Sequence, residues 1–184
     1  MRRLPLAALA LLVAAPGARA DVTPESARGV YRLAGSARVS ASPLPAERLE
    51  LRADAVLRPA DGPRRISARL ATQGHACELG GGLAPDGSIA FDEGQRCVLE
   101  LDDPGARGHV EGRLRSGSGR LAGRELSLDL AFDVSGTVSV SAGGVRVPGL
   151  GVEVPPSWTP PTPVHGEARA TASGTRDDSR AAGR

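Results

Sequence analysis

The segment LSLDLAFDVSGTVSV, residues 126–140, alternates apolar and polar side chains almost without a fault. Leu126, Leu128, Leu130, Phe132, Val134, Val138 and Val140 share one parity, with Gly136 among them. Ser127, Asp129, Asp133, Ser135, Thr137 and Ser139 share the other, with Ala131. A period of two means a β-strand with one buried and one wet face. At about 3.3 Å per residue the segment would span on the order of 50 Å. A compact domain of this size is only about 37 Å across. A straight strand overshoots, so this one is expected to bend or split, and Gly136 is the residue that permits it. Strands that coil round corners point to a barrel or a strongly curved sheet.

The alternation recurs along the chain. Tyr31, Leu33, Ala37, Val39 and Ala41 oppose Arg32, Ser36, Arg38 and Ser40, and Leu49, Leu51, Ala53, Ala55 and Leu57 oppose Glu50, Arg52, Asp54 and Arg58. Ile66, Ala68 and Leu70 run on even numbers but Cys77 and Leu79 on odd ones, which places a bulge or strand break near Gln73-Gly74. Shorter strands are expected at Ile89 with Phe91 and at Cys97, Leu99 and Leu101. Asp61-Gly62-Pro63 and Asp102-Asp103-Pro104-Gly105 read as turns, and Ser116-Gly117-Ser118-Gly119 reads as a hairpin connection. No segment carries a helical period. The expected fold is all-β and antiparallel, with about eight to ten strands in a curved meander that closes as a barrel; a β-sandwich is the alternative.

One internal echo bears on closure. Gly35–Ser42 (GSARVSAS) is similar to Gly166–Ser173 (GEARATAS). Chance in a chain rich in Ala, Arg and Ser accounts for it. The alternative is that the first and last strands pair and close the sheet, which removes both edges.

The termini have a different texture. Arg2 and Arg3, the apolar run Leu4–Ala15 and the site Ala18-Arg19-Ala20 have the layout of a secretory signal peptide over residues 1–20, with cleavage between Ala20 and Asp21. The run is too short for a comfortable transmembrane anchor. Residues 21–174 are expected to form a single antiparallel domain. It includes a proline-rich connection over 145–164 that holds the one tryptophan, Trp158. That connection would wrap one end of the sheet with Trp158 covering the core; the sharper reading is a ligand for a proline-recognising partner. Residues 175–184 are expected to be a disordered tail. The whole chain has 23 basic and 21 acidic residues, and the leader takes three arginines with it. The remainder is close to neutral, so no net basic excess points to nucleic acid or an anionic membrane.

Candidate chemistry is sparse. Cys77 and Cys97, the only cysteines, are expected to form a disulfide in an oxidising compartment, worth roughly 3 kcal/mol for a loop of this length. Their Cα atoms must then come within about 7 Å. A flat meander with Ile89 to Phe91 between them would hold them too far apart, so Gly80–Gly94 is expected to project as a hairpin or flap. A redox-active pair would want CxxC spacing. A zinc set drawn from His75, Cys77, Cys97 and His109 would need thiols that the disulfide consumes. Asp86, Asp92, Glu93, Asp102 and Asp103 sit at turns and match no calcium-loop spacing. No nucleophile elbow surrounds Ser116 or Ser118, and a chain without lysine has no phosphate-loop motif. His109 and His165 are expected on solvated strand faces. No catalytic, cofactor-binding or metal residue is assigned.

With its A-x-A leader, its succession of small-residue alternating strands and its single cysteine pair, the chain resembles small uncharacterised exported β-rich proteins of high-GC Gram-negative bacteria. The resemblance implies a periplasmic or secreted location and brings no motif tied to an activity. The Trp-containing motif that marks lipocalins near their first strand is absent. The expected role is non-enzymatic, either structural or the binding of an apolar small molecule or lipid chain if the interior is open. Inward alanines (Ala37, Ala41, Ala53, Ala55, Ala68) would leave such space or allow close packing. The alternatives are an outer-membrane barrel, for which 2% aromatic residues is a poor supply of girdles, and an enzyme whose site is scattered in sequence.

Overall fold

A computed structural model describes residues 21–43, 46–72, 75–103, 106–142 and 157–180. The expected signal peptide, the expected break at Gln73-Gly74, Pro104-Gly105 of an expected turn, positions 145–156 of the proline-rich connection with the two residues before it, and the last four residues of the chain lie outside the described residues. The elements are α1 (Pro24–Ala27), β1 (Gly29–Ser42), β2 (Glu47–Pro59), β3 (Arg65–Thr72), β4 (His75–Leu83), β5 (Ser88–Phe91), β6 (Arg96–Asp103), β7 (Ala106–Ala122), β8 (Glu125–Ala142), β9 (Ser157–Trp158) and β10 (Thr162–Arg176), followed by a 3-10 turn at Asp178–Arg180.

Every pairing is antiparallel, and the strands close into an uneven ring in the order β1, β2, β3, β4, β5, β7, β8, β10 and back to β1. The all-β reading holds, as does closure. The two echoing segments are direct neighbours: β1 and β10 pair from Tyr31↔Arg176 to Ser42↔His165. Between β3 and β4, Thr72 faces His75 across residues 73–74. That hairpin sets even residues of β3 against odd residues of β4, which is the phase change legible in the sequence.

β8 does not split. It runs unbroken through Gly136, which pairs with Val110 on one side and Val164 on the other. A Cβ placed on Gly136 would strike the His109 carbonyl, and one on Gly174 the Arg32 carbonyl. In a flat sheet a Cβ stands away from the plane. A Cβ aimed at the neighbouring backbone marks a corner where the sheet folds tightly and only glycine fits. Such approaches lie between β7 and β8, between β1 and β10 and, at Gly81, between β4 and β5.

Four expectations are corrected. Ser116–Gly119 is not a hairpin connection but the interior of β7, with a register shift at Arg115. Gly117 faces inward, where a side chain would press on Phe91 and Leu130; the glycine is there for packing, not turning. Gly80–Gly94 is not a projecting flap. Its two strands belong to the ring, with Leu83, Ile89 and Phe91 buried. The expected disordered tail begins too early: Thr175 and Arg176 complete β10, and Asp177 donates its backbone N–H to the Val30 carbonyl at 2.7 Å. Trp158 does not cover the core. It pairs with Ser141 and lies under the Arg107 guanidinium, 4.4 Å from the ring centroid. The single turn of α1 also escapes a search for helical period. Its signal is local, a capping box between Thr23 and Ser26 with proline in the first turn.

The core is divided in two. The lower end of the ring, where α1 and the β2–β3, β4–β5 and β7–β8 connections lie, is filled by Tyr31, Leu57, Ile66, Leu79, Leu83, Leu114 and Leu126 among others. Ala27 on α1 joins this cluster, and Tyr31 donates its hydroxyl to the Ala27 carbonyl at 2.8 Å. The upper end holds a small second cluster of Ala41, Val138 and Val164.

Candidate functional site

The disulfide and the space above it form the part of the ring that is not ordinary sheet. β5 and β6 occupy one position in the ring in succession. β5 pairs with β4 and β7 at the lower end, and β6 takes over along β7 from Arg96 upward. Among the described residues no ladder joins β6 to β4. Two side-chain devices bridge this seam instead. Cys77 of β4 and Cys97 of β6 form the expected disulfide with Cα atoms 5.2 Å apart. Below it, the Gln95 amide imitates a strand. Its Oε1 accepts from Gly80 N at 2.6 Å and its Nε2 donates to the Gly80 carbonyl at 2.9 Å. Because β6 starts only where β5 ends, the two cysteines become neighbours without any flap.

Both cysteines belong to inward rows and lean on the lower core. Above them the inward rows stay apolar but, among the described residues, are only partly buried. Leu51 and Ala53 of β2, Leu70 of β3, Leu99 of β6, Phe132 and Val134 of β8 and Ala170 of β10 are all partly exposed. At the rim Leu49 is 47% and Val140 42% exposed, although each continues an inward row. Chemically this is an apolar inner wall reachable from solvent at one end of a ring plugged at the other. It can receive apolar surface, and among the described residues no group of three or more metal-ligating side chains accompanies it.

The other residues singled out in the sequence are dispersed. His75 stands at the top of β4, partly buried, in the inward row of Cys77. His109 is on the outer face with Nδ1 2.6 Å from Glu100 Oε1, and His165 is exposed on β10. Asp86 accepts from Ser88 N at 3.0 Å and Ser88 Oγ at 2.9 Å, which lowers its pKa below the ordinary carboxylate value. Asp92 is lowered by its hydrogen bond from Arg65. Asp102 lies 3.3 Å from Arg107 Nε, and Ser118 is exposed on the outside of β7. None of these converges with another on the inner wall. The inward alanines are the sequence signal for this wall; of them Ala37 and Ala53 lie on it partly exposed, whereas Ala41, Ala55 and Ala68 are buried.

No protein-family model matches the chain, and no curated protein matches it. A solved structure of a protein of unknown function from the DUF3598 family of Nostoc punctiforme aligns at 12% identity and a TM-score of 0.29, over 86% of this chain and 50% of that one. The chain spans half the length of that protein. At this distance no function transfers.

Proposed function

We propose that this chain is an exported, non-enzymatic β-ring protein that takes an apolar small molecule or lipid chain against the upper inner wall. The observation that carries the reading is the contrast in cover along the same inward rows: Leu57 is fully buried while Leu49, on the same strand and parity, is 47% exposed. Apolar surface left open in a soluble domain marks a place where something apolar docks. The Cys77–Cys97 disulfide is compatible with an oxidising compartment, and no helix among the described residues is long and apolar enough to cross a membrane. The outer strand faces favour a ring that meets water over one that meets hydrocarbon, because they carry Arg32, Asp54, Arg113, Asp133 and Arg169 in mid-strand.

Mass spectrometry of an organic extract of the purified protein tests the reading, followed by titration of the extracted protein with a fluorescent fatty acid. A co-purifying apolar species, and probe binding that Ala170→Trp blocks, are expected. No extractable species and no saturable probe binding would overturn it. N-terminal sequencing of protein recovered from the periplasm or medium tests export, with Asp21 as the expected first residue.

A further inference from the structure

The outer face of β10, β1 and β2 carries an arrangement that the apolar interior does not use. In register, Arg169 faces Arg38 across β10 and β1, and Arg38 faces Arg48 across β1 and β2. Like charges directly opposed destabilise a sheet. Other outer rows oppose unlike charges, as in Arg32↔Asp54, Arg69↔Glu78 and Asp102↔Arg107. Where like charges do meet, the chain supplies a counter-charge. Glu167 opposes Asp133, and the bulge residue Arg115 reaches both, at 2.7 and 3.6 Å. Arg96 opposes Arg113, but Glu111 lies 3.3 Å from Arg96 and Arg113 pairs in register with Asp133.

The arginine row is different. Arg169 is held by Asp129 at 2.8 Å. Arg48 donates to the Ser36 hydroxyl at 3.3 Å, and among the described residues neither Arg48 nor Arg38 has an ion pair. These side chains line a shallow depression of about 380 Å³, shared with Ser36, Thr171, Ala46 and one carboxylate, Glu47. We propose that the row is a binding site for a phosphate-class oxyanion. The anion seats between Arg38 and Arg48, takes further donors from the hydroxyls of Ser36 and Thr171, and adds negative charge where three arginines share the depression with the single carboxylate of Glu47. Guanidinium forks match such oxyanions through paired N–H donors. The depression has room for a phosphoryl group carried on a larger molecule, so the source is either free phosphate or a phospholipid headgroup. The near-neutral charge of the whole chain does not oppose this, because the site is local.

Thermal melting of the full chain in sodium phosphate and in sodium chloride of equal ionic strength tests the site, with calorimetric phosphate titration beside it. Phosphate is expected to raise the melting temperature above the chloride control, and Arg38→Gln and Arg48→Gln to weaken phosphate binding at least tenfold. Arg38→Gln alone should melt no lower than the natural chain in low salt, because it removes repulsion; that result also shows that the variant folds. Equal melting in both salts, or equal phosphate binding by Arg38→Gln, overturns the proposal. Sedimentation with phosphatidylglycerol and phosphatidylcholine vesicles separates the sources. Binding to phosphatidylglycerol alone, lost in Arg38→Gln and competed by phosphate, supports a headgroup; phosphate binding without vesicle binding supports a soluble phosphoryl ligand.

Discussion

The lower and upper halves of the ring are built from the same strands with the same parity, yet one is fully buried and the other only partly. In the lower half the inward rows carry Tyr31, Leu57, Ile66, Leu79 and Leu114, all fully buried. In the upper half the same rows carry Ala37, Ala53, Gly112, Ala168 and Ala170, all partly exposed. Alternation dictates which side chains turn inward, and side-chain volume decides whether they meet. Where alanine and glycine take inward positions, as at Ala37, Ala53, Gly112, Ala168 and Ala170, the wall fills its interior less tightly. The second cluster of Ala41, Val138 and Val164 is where the upper half does reach full burial.

The sharpest way to break this comparison is to truncate the same residue type on the same strand in each half. Leu57→Ala removes a fully buried side chain and is expected to cost about 3–4 kcal/mol. Leu51→Ala, three rows higher and already partly exposed, is expected to cost about 1 kcal/mol or less. Urea denaturation measures both. Equal losses would mean that the upper half is packed after all.

The seam between the halves comes next. Loss of the disulfide in a Cys77→Ala, Cys97→Ala double variant is expected to cost about 3 kcal/mol, because the unfolded chain regains the freedom of the loop it closed. The same loss should appear when reductant is added to the natural chain and not when it is added to the variant. A variant as stable as the natural chain would show that Gln95 and the ladders on either side hold the seam unaided.

A smaller effect is expected where β7 passes the lower core. Gly117→Val would bring a branched side chain against Phe91 and Leu130, at a cost of about 2 kcal/mol. At Gly112, in the upper half, an added Cβ has the Phe132 side chain at ordinary contact distance, and the strand should tolerate Gly112→Val. A melt in which both behave alike would erase the distinction between the halves along this strand.

β7 also shows what could be read in the sequence and what could not. The long alternations at 126–140 and 31–41 were legible, because a two-residue period survives any tertiary context. The closure of β1 on β10 was visible only as an echo that chance also explains. Ser116–Gly119 was misread because glycine has two uses: it frees a turn, and it vacates space. Only the three-dimensional neighbours Phe91 and Leu130 tell which applies. The seam was misread for a related reason. A flat meander treats each strand as one position in a sheet, whereas β5 and β6 share a position in succession. The arginine row could not be found at all, because its register spans three strands distant in sequence.

pH probes the two halves of the comparison last and most gently. At the sealed end, burial raises the Tyr31 pKa above its ordinary 10.0, partly offset by Arg176. Above pH 10 the unfolded tyrosine therefore loses its proton before the folded one does, and stability falls as pH rises. Tyr31→Phe should lack that alkaline loss, although it also gives up the hydrogen bond to Ala27. On the outer faces the sign is opposite. Asp92 and Asp129 are lowered by hydrogen bonds from Arg65 and Arg169, and Glu167 by that from Arg115. Their contribution is complete above the ordinary carboxylate range and is lost as pH falls through the lowered values, so the acid limb lies below about pH 4. All three carboxylates are exposed enough for salt to screen them, and the acid loss should shrink in high salt. The alkaline loss should not, because it arises from burial. Melting curves from pH 2 to 11 at two salt concentrations separate the limbs, and an alkaline limb that vanished in salt would place Tyr31 outside the sealed core.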